Sequence, residues 1–268
     1  MSYPGGKSGA GVYQTLINLM PPHDVYIEPF LGGGAIMRRK HPAPLNIGID
    51  KDKHVIKKWL TNSSFASCDD ERSRMNPTLT SDDDGSRFEF RCQDGMAFLS
   101  RYAFTGKELV YCDPPYVHST RRRSDLYRHE MTDRQHSELL RIIRQLPCPV
   151  MISGYWSELY ADALSDWRSL SFTSQTRGGP RTEWVWYNFR TQALHDYSYL
   201  GQNFRERERI KRKRNRWIAK LSRMNPLERQ ALVAAIAEAW NLKLLTSPST
   251  ASVDQAFIVR SNEATRSR

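Results

Sequence analysis

Short apolar runs and helix-spaced apolar positions alternate through the first two thirds of the chain. Residues 25–30, 46–50, 88–94, 109–112 and 149–153 are rich in Val, Ile, Phe and Tyr and break off at or next to Asp, Pro or Gly. Runs of that length bounded by turn residues predict buried strands. Around them apolar residues recur at helical spacing: Val12, Leu16, Ile17 and Met20; Ile36 and Met37 behind a glycine turn; residues 51–60; Met96, Phe98 and Leu99; and Leu139, Leu140, Ile143 and Leu146 behind a start at Thr132. Strand and helix repeated in this way predict an α/β fold around a mostly parallel sheet. Residues 167–173 and 184–189, separated by Gly178-Gly179-Pro180, predict an antiparallel hairpin that closes it.

Two segments leave this pattern. Residues 61–87 are polar, with acidic clusters and little periodicity, which predicts a long solvated loop. Near Asp196 the composition changes: residues 205–223 hold ten Lys or Arg against two Glu, a net +8 out of the whole chain's +11. Asn225 as N-cap, Pro226 at the first helical position and Glu228 at the third then announce a helix through Leu232, Ile236 and Trp240. The expected organisation is one main domain over residues 1–195, with 61–87 as a loop inside it, and a basic helical appendage over 196–268, which suits a length of 268 residues.

The excess of positive charge argues for a polyanionic partner, although a ribosomal or membrane surface would ask for a similar balance. Cys68, Cys92, Cys112 and Cys148 lack C-x-x-C spacing, so neither a zinc site nor a disulfide framework is expected. No apolar run is long enough to span a bilayer and residues 1–20 lack a signal-peptide pattern; the expectation is a soluble, cytoplasmic protein.

The candidate chemistry centres on Asp113-Pro114-Pro115-Tyr116, where the run 109–112 ends. Two prolines offer no N–H to a ladder, so the chain must leave the sheet there. The turn presents a carboxylate (Asp113), a carbonyl outside any ladder (Pro114) and an aromatic face (Tyr116) at a strand's carboxyl edge, where open α/β sheets bind ligands. Two acceptors and a stacking plane suit a flat ring with an exocyclic amine; the plainer reading is a strand-ending turn with a surface Tyr. Leu31-Gly32-Gly33-Gly34 is a tight turn that lets backbone approach a ligand, and it departs from the G-x-G-x-x-G of dinucleotide binders. Gly5-Gly6-Lys7 likewise falls short of a nucleotide-triphosphate loop. Asp50, at the tip of the next strand, suits a ribose hydroxyl or a helix N-cap, and Asp94, at a third strand tip, reads as an N-cap for the helix through Met96, Phe98 and Leu99.

The motifs Tyr3-Pro-Gly-Gly-Lys7, Glu28-Pro-Phe-Leu-Gly-Gly-Gly34, Asp50 and Asp113-Pro-Pro-Tyr116, in that order, resemble the Dam-like, D12-class (alpha-group) adenine-N6 DNA methyltransferases over residues 3–189. The resemblance implies a Rossmann-like methyltransferase sheet and S-adenosylmethionine as methyl donor. It places Tyr3, Lys7, Glu28, Pro29, Phe30, Gly32, Gly34, Asp50, Asp94, Gly95 and Asp113 against the donor. Asp113, Pro114 and Tyr116 become the catalytic turn acting on adenine N6, with the base extruded from the duplex. The family carries a helical target-recognition insertion between the ribose acid and the next strand, and 61–87 is too short for a large one. The expectation is therefore a prophage-type enzyme of low sequence specificity, encoded by a bacterium or phage and associated with the nucleoid, acting on double- or single-stranded DNA with RNA as a second substrate.

Candidate nucleic-acid contacts are His118, Arg121, Arg122 and Arg123 after the catalytic turn, Arg177 and Arg181 at the hairpin, and Arg212, Lys213 and Arg214 in the tail. Three rivals stay open: a cytosine-N4 methyltransferase, which usually has Ser in place of the first Asp; a glutamine-modifying methyltransferase, expected to carry Asn there; and a catalytically silent nucleic-acid-binding scaffold.

Overall fold

A computed structural model describes residues 6–9, 11–61, 78–80, 85–117, 120, 130–176, 179–190 and 193–240. By its contacts the chain divides into two units, Met1–Ile210 and Lys211–Arg268.

The first unit is built on an eight-stranded sheet. In chain order the strands are β1 (Val25–Glu28), β2 (Leu45–Asp50), β3 (Thr78–Thr80), β4 (Arg87–Cys92), β5 (Glu108–Cys112), β6 (Val150–Gly154), β7 (Arg168–Thr176) and β8 (Gly179–Tyr187). Across the sheet they lie in the order β3-β4-β2-β1-β5-β6-β8-β7. The five from β4 to β6 are mutually parallel, while β8 runs against both β6 and β7. Every residue of β5 and β6 is buried, as expected for parallel strands covered on both faces.

Strand alternation sorts the core into two layers. Tyr26, Tyr111 and Met151 face one side, packed with α1 (Val12–Ile17) and α2 (Lys53–Thr61). Their neighbours Ile27, Val110, Cys112, Val150 and Ile152 face the other, packed with α3 (Gly95–Leu99), α4 (Asp133–Arg144) and α5 (Glu158–Ala163). The result is a doubly wound sheet. The expected start of α4 is present as a capping box: Thr132 accepts from the Gln135 N–H, and the Gln135 side chain accepts from the Thr132 N–H. Such a cap stabilises a helix by about 1 kcal/mol.

Two expectations need correction. Ile36 and Met37 lie in a turn over residues 35–39 and not in a helix; the run is squeezed between the left-handed Gly34 and Pro42, too short to repay helix nucleation. The stretch 61–87 contains β3, paired antiparallel to β4 through Thr78↔Glu89 and Thr80↔Arg87. Thr-Leu-Thr is strand-prone, and the outer edge of β4 offers unpaired backbone groups to whatever segment lies nearest.

Helix α6 (Phe204–Ser222) crosses the boundary between the units, and α7 (Pro226–Ala239) follows it. Asn225 caps α7 through the Leu227 N–H at 2.9 Å, with Pro226 at the first position as the sequence predicts. No described helix is long and apolar enough to cross a membrane.

Candidate active site

The chain runs from β1 to β2 on one side and from β5 to β6 on the other, so the carboxyl ends of the adjacent strands β1 and β5 flank a topological switch point. Glu28 ends β1, and Asp113 follows the last residue of β5. Between them lies a narrow cleft of about 30 Å³, partly open to solvent, lined among others by Lys7, Glu28, Phe30, the glycines 32–34, Tyr111, Asp113 and Pro114.

The glycine turn is held from both ends. Asp50 Oδ2 accepts the Gly32 N–H at 2.8 Å, and the Gly32 carbonyl accepts the Trp59 indole N–H at 3.2 Å. Gly34 has φ +53°, and a Cβ there would lie 2.1 Å from the Trp59 ring, so only glycine fits.

Asp113 is the best-connected polar group of the cleft. Its Oδ1 accepts from Lys7 Nζ at 2.6 Å and from Ser153 Oγ at 3.1 Å, and Ser153 is in turn bonded to Tyr111 at 2.8 Å. Among the described residues Oδ2 of Asp113 and the Pro114 carbonyl receive no hydrogen bond. Lys7 is 2 % exposed and also meets Tyr116 Oη at 2.5 Å and Glu183 Oε2 at 3.2 Å. Burial works against its charge, but Asp113 and Glu183 outweigh that and hold the ammonium well above its ordinary value. The converse holds for Asp113: burial raises its carboxyl, the Lys7 ammonium opposes the rise, and Glu183 adds to it. One cation shared by two acids leaves the cluster with surplus negative charge. Glu28, buried beside it and accepting from Tyr26 Oη at 3.0 Å, is pushed up to about 8, chiefly by burial, with Asp113 adding to the shift.

Of the residues the sequence singles out, the structure brings Lys7, Glu28, Phe30, Gly32, Gly34, Asp113 and Pro114 around one cleft. Pro29 and Gly95 pack on each other: a Cβ on Gly95 would lie 2.3 Å from the Pro29 carbonyl oxygen. Asp50 takes the Gly32 and Asp52 N–H groups, and the cap of α2 falls to Asp52, whose carboxylate accepts from His54. Asp94 caps α3 through the Ala97 N–H at 3.0 Å. Tyr116 departs from the expectation of an open aromatic face: it is 5 % exposed, its ring lies against Tyr155 with centroids 4.5 Å apart, and its hydroxyl donates to Glu183. Arg181 lies on β8 with its guanidinium 5.4 Å from the Tyr155 ring, and Arg212, Lys213 and Arg214 are exposed on α6. Tyr3, His118, Arg121, Arg122, Arg123 and Arg177 lie outside the described residues.

Glu183, Ser153 and Ser174 escaped the sequence reading. Glu183 is buried, pairs with Lys7, and accepts from Tyr116 and from Ser174 Oγ at 2.6 Å. A signal was there: Glu183 shares strand parity with the fully buried Val185 and so must face inward.

The strand order, with β8 running against both β6 and β7, and the cleft at the switch point define the architecture. The sheet is Rossmann-like, mostly parallel and closed by an antiparallel hairpin, as the resemblance to S-adenosylmethionine-dependent methyltransferases implies. Residues 70–176, which include the turn Asp113–Tyr116, match the family model described as D12 class N6 adenine-specific DNA methyltransferase, and this supports both the resemblance read from the sequence and methyl transfer as the chemistry. Comparison with curated proteins gives no match. Solved structures with related folds include precorrin 8W decarboxylase from Methanobacterium thermoautotrophicum (13% identity, 71% of this chain and 96% of that one, TM-score 0.42). Magnesium protoporphyrin IX methyltransferase from Synechocystis PCC 6803, solved with bound SAM, is 12% identical over 67% of this chain and 76% of that one, TM-score 0.39. An rRNA methylase from Streptococcus thermophilus is 12% identical over 66% of this chain and 93% of that one, TM-score 0.38. At such identities and TM-scores these likenesses say nothing about what the chain acts on.

Proposed function

We propose that the chain transfers the methyl group of S-adenosylmethionine to the N6 amine of adenine in DNA, on a base extruded from the duplex and with low sequence specificity. The reading rests on one observation: Asp113 is held at Oδ1 by Lys7 and Ser153, while its Oδ2 and the adjacent Pro114 carbonyl accept nothing from the described residues.

The cleft suits such a donor. Its lining carries the carboxyl groups of Glu28 and Asp113, and its one ammonium, Lys7, is engaged by Asp113 and Glu183. That set favours a cationic ligand over a phosphate. Gly32, Gly34, Phe30 and Glu28 would hold the donor, with Asp50 and Asp94 at the neighbouring strand tips as further candidates. When bound, S-adenosylmethionine supplies an electrophilic methyl on a sulfonium sulfur.

The chain's part is to prepare the amine. The nitrogen lone pair of adenine is spread into the ring and is a poor nucleophile. Asp113 Oδ2 and the Pro114 carbonyl accept its two N–H groups, which lets the nitrogen pyramidalise and turn its lone pair out of the ring plane. Lys7 stays protonated, fixes the Asp113 carboxylate and does not serve as base. The amine proton leaves after methylation has made the nitrogen positive, with Asp113 Oδ2 placed to receive it. Positioning and preorganised charge of this kind are the usual sources of rate gain.

Transfer of labelled methyl to adenine-containing DNA, followed by digestion to nucleosides, tests the reading. N6-methyl-2′-deoxyadenosine is expected, and Asp113→Ala should reduce its formation by about 10²–10³-fold. No transfer by the wild type, or methylcytosine as product, refutes it. Mapping methylated adenines on random-sequence duplex tests specificity, and confinement to one long motif overturns that part. A parallel assay on single-stranded RNA tests the second substrate.

A further inference from the structure

A second cavity, of about 620 Å³ and so within the range that holds small ligands, lies at the carboxyl end of β6, lined there by Tyr155 and Trp156 and by Val117 just after the Tyr116 turn. Its walls include Tyr155, Trp156, Trp184 and Arg181, with Asp133 and Glu158 also lining it. We propose that this cavity holds the nucleobase next to the methylated adenine in the strand, stacked on Trp156. The inference rests on the proposed nucleic-acid substrate.

Four features carry it. Trp156 is 51 % exposed at the end of a fully buried strand, where a large apolar ring is otherwise expected to fold inward. Tyr155 beside it packs on Tyr116 at 4.5 Å, so the cavity begins one ring away from the catalytic turn. Asp113 and Pro114 line the first cleft and not this one, so a base held here is a neighbour of the reacting base. Among the described lining residues the charge of the walls decides between base and phosphate: their one cation, Arg181, already lies over the Tyr155 ring, and Asp133 and Glu158 outnumber it. A phosphate would be repelled there. An uncharged aromatic ring would not, and its amino or imino N–H groups would find carboxylate acceptors. Since Tyr116 is buried, Trp156 supplies the open aromatic face that the catalytic turn lacks.

Binding of the full-length chain to a fluorescein-labelled single-stranded DNA oligonucleotide with one central adenine, read by anisotropy, tests this without any need for turnover. Trp156→Ala is expected to weaken binding about tenfold or more, with Trp156→Phe recovering most of it, because stacking tolerates any aromatic ring. An abasic site placed at each position in turn should weaken the wild type at one position beside the adenine and add nothing to Trp156→Ala. Affinity of Trp156→Ala within about twofold of wild type, or an abasic penalty equal in both, overturns the inference. A chain that methylates adenine but shows no Trp156 effect refutes this inference alone. An intact effect in a chain that methylates nothing refutes the proposed function alone.

Discussion

The two edges of the sheet each bury a cluster of ionisable groups, and they are built to opposite ends. At the amino edge Lys40, 4 % exposed, donates to the His41 carbonyl at 2.9 Å and to Asn46 Oδ1 at 3.0 Å and lies 4.4 Å from the Tyr26 ring centroid. His23 stacks on His195 at 3.9 Å, and Asp196 accepts the N–H groups of His41 and Ser198. These bonds tie the segments leading into β1 and β2 to the chain that leaves β8. At the carboxyl edge Lys7 and Glu183 are buried as deeply and Asp113 is half-buried, but two acids share one cation beside a cleft, and Asp113 keeps an acceptor oxygen unused by the described residues. Burial of charge therefore does not by itself mark a site, since structural networks perturb ionisable groups as well. An unbalanced charge set against a cavity does.

The contrast can be broken most forcefully at Lys7. Lys7→Met leaves Asp113 and Glu183 buried without their cation, and should destabilise the fold by about 3–5 kcal/mol and abolish methyl transfer. Asp113, already raised by burial, would then keep in the folded state a proton that unfolding releases, so the loss should be larger at pH 8 than at pH 5, read as the thermal midpoint at each pH. An equal loss at both would mean that the acids do not depend on Lys7.

Glu28 gives the next effect. Its folded value of about 8 lies above the unfolded 4.5, so the native state holds a proton that the unfolded chain releases between those values. Its contribution is complete below pH 4.5 and lost as pH rises through 8. Glu28→Gln should therefore be indistinguishable from wild type near pH 4 and gain on it by about 1.4 kcal/mol per pH unit between 4.5 and 8, by denaturant titration.

At the opposite edge Lys40→Met should cost about 1–2 kcal/mol, the worth of its lost hydrogen bonds. The rate of methyl transfer per folded molecule should be unchanged; a fall in rate would mean that the amino edge is coupled to the site. The effect that is smallest at neutral pH, and confined to the acid side, is expected at His23, held far below its ordinary 6.5 by burial, then by Lys40 and His195. There the unfolded chain takes up a proton that the native state refuses, so stability should fall as pH drops below 6.5. His23→Phe keeps a ring against His195 and should flatten that acid limb by about 1 kcal/mol per pH unit, read from thermal midpoints between pH 6.5 and 4.5.

Local pattern in the chain was enough for most of the architecture. Parallel strands buried on both faces read as unbroken apolar runs, the Thr132 and Asn225 caps and the glycine turn are short-range chemistry, and the acid followed by two prolines ends a strand wherever it occurs. Hence seven of the eight strands, the hairpin, and Asp113 beside the cleft were legible before any coordinates. The turn over 35–39 and the strand Thr78–Thr80 were not, because each is decided by what lies beside it: the left-handed Gly34 in one case, the open edge of β4 in the other.

The partners of the site belong wholly to the tertiary structure. Lys7, Asp113, Ser153 and Glu183 come from four segments far apart in the chain. No propensity links them, since an ion pair forms only where folding has removed water and set the donors at hydrogen-bond distance. The same holds for Tyr116, whose sequence offers an aromatic face but whose neighbours Tyr155 and Glu183 enclose it. Residue type and spacing determined which groups this protein has to work with. Packing decided which of them are desolvated together, and desolvation gives those few charges their strength.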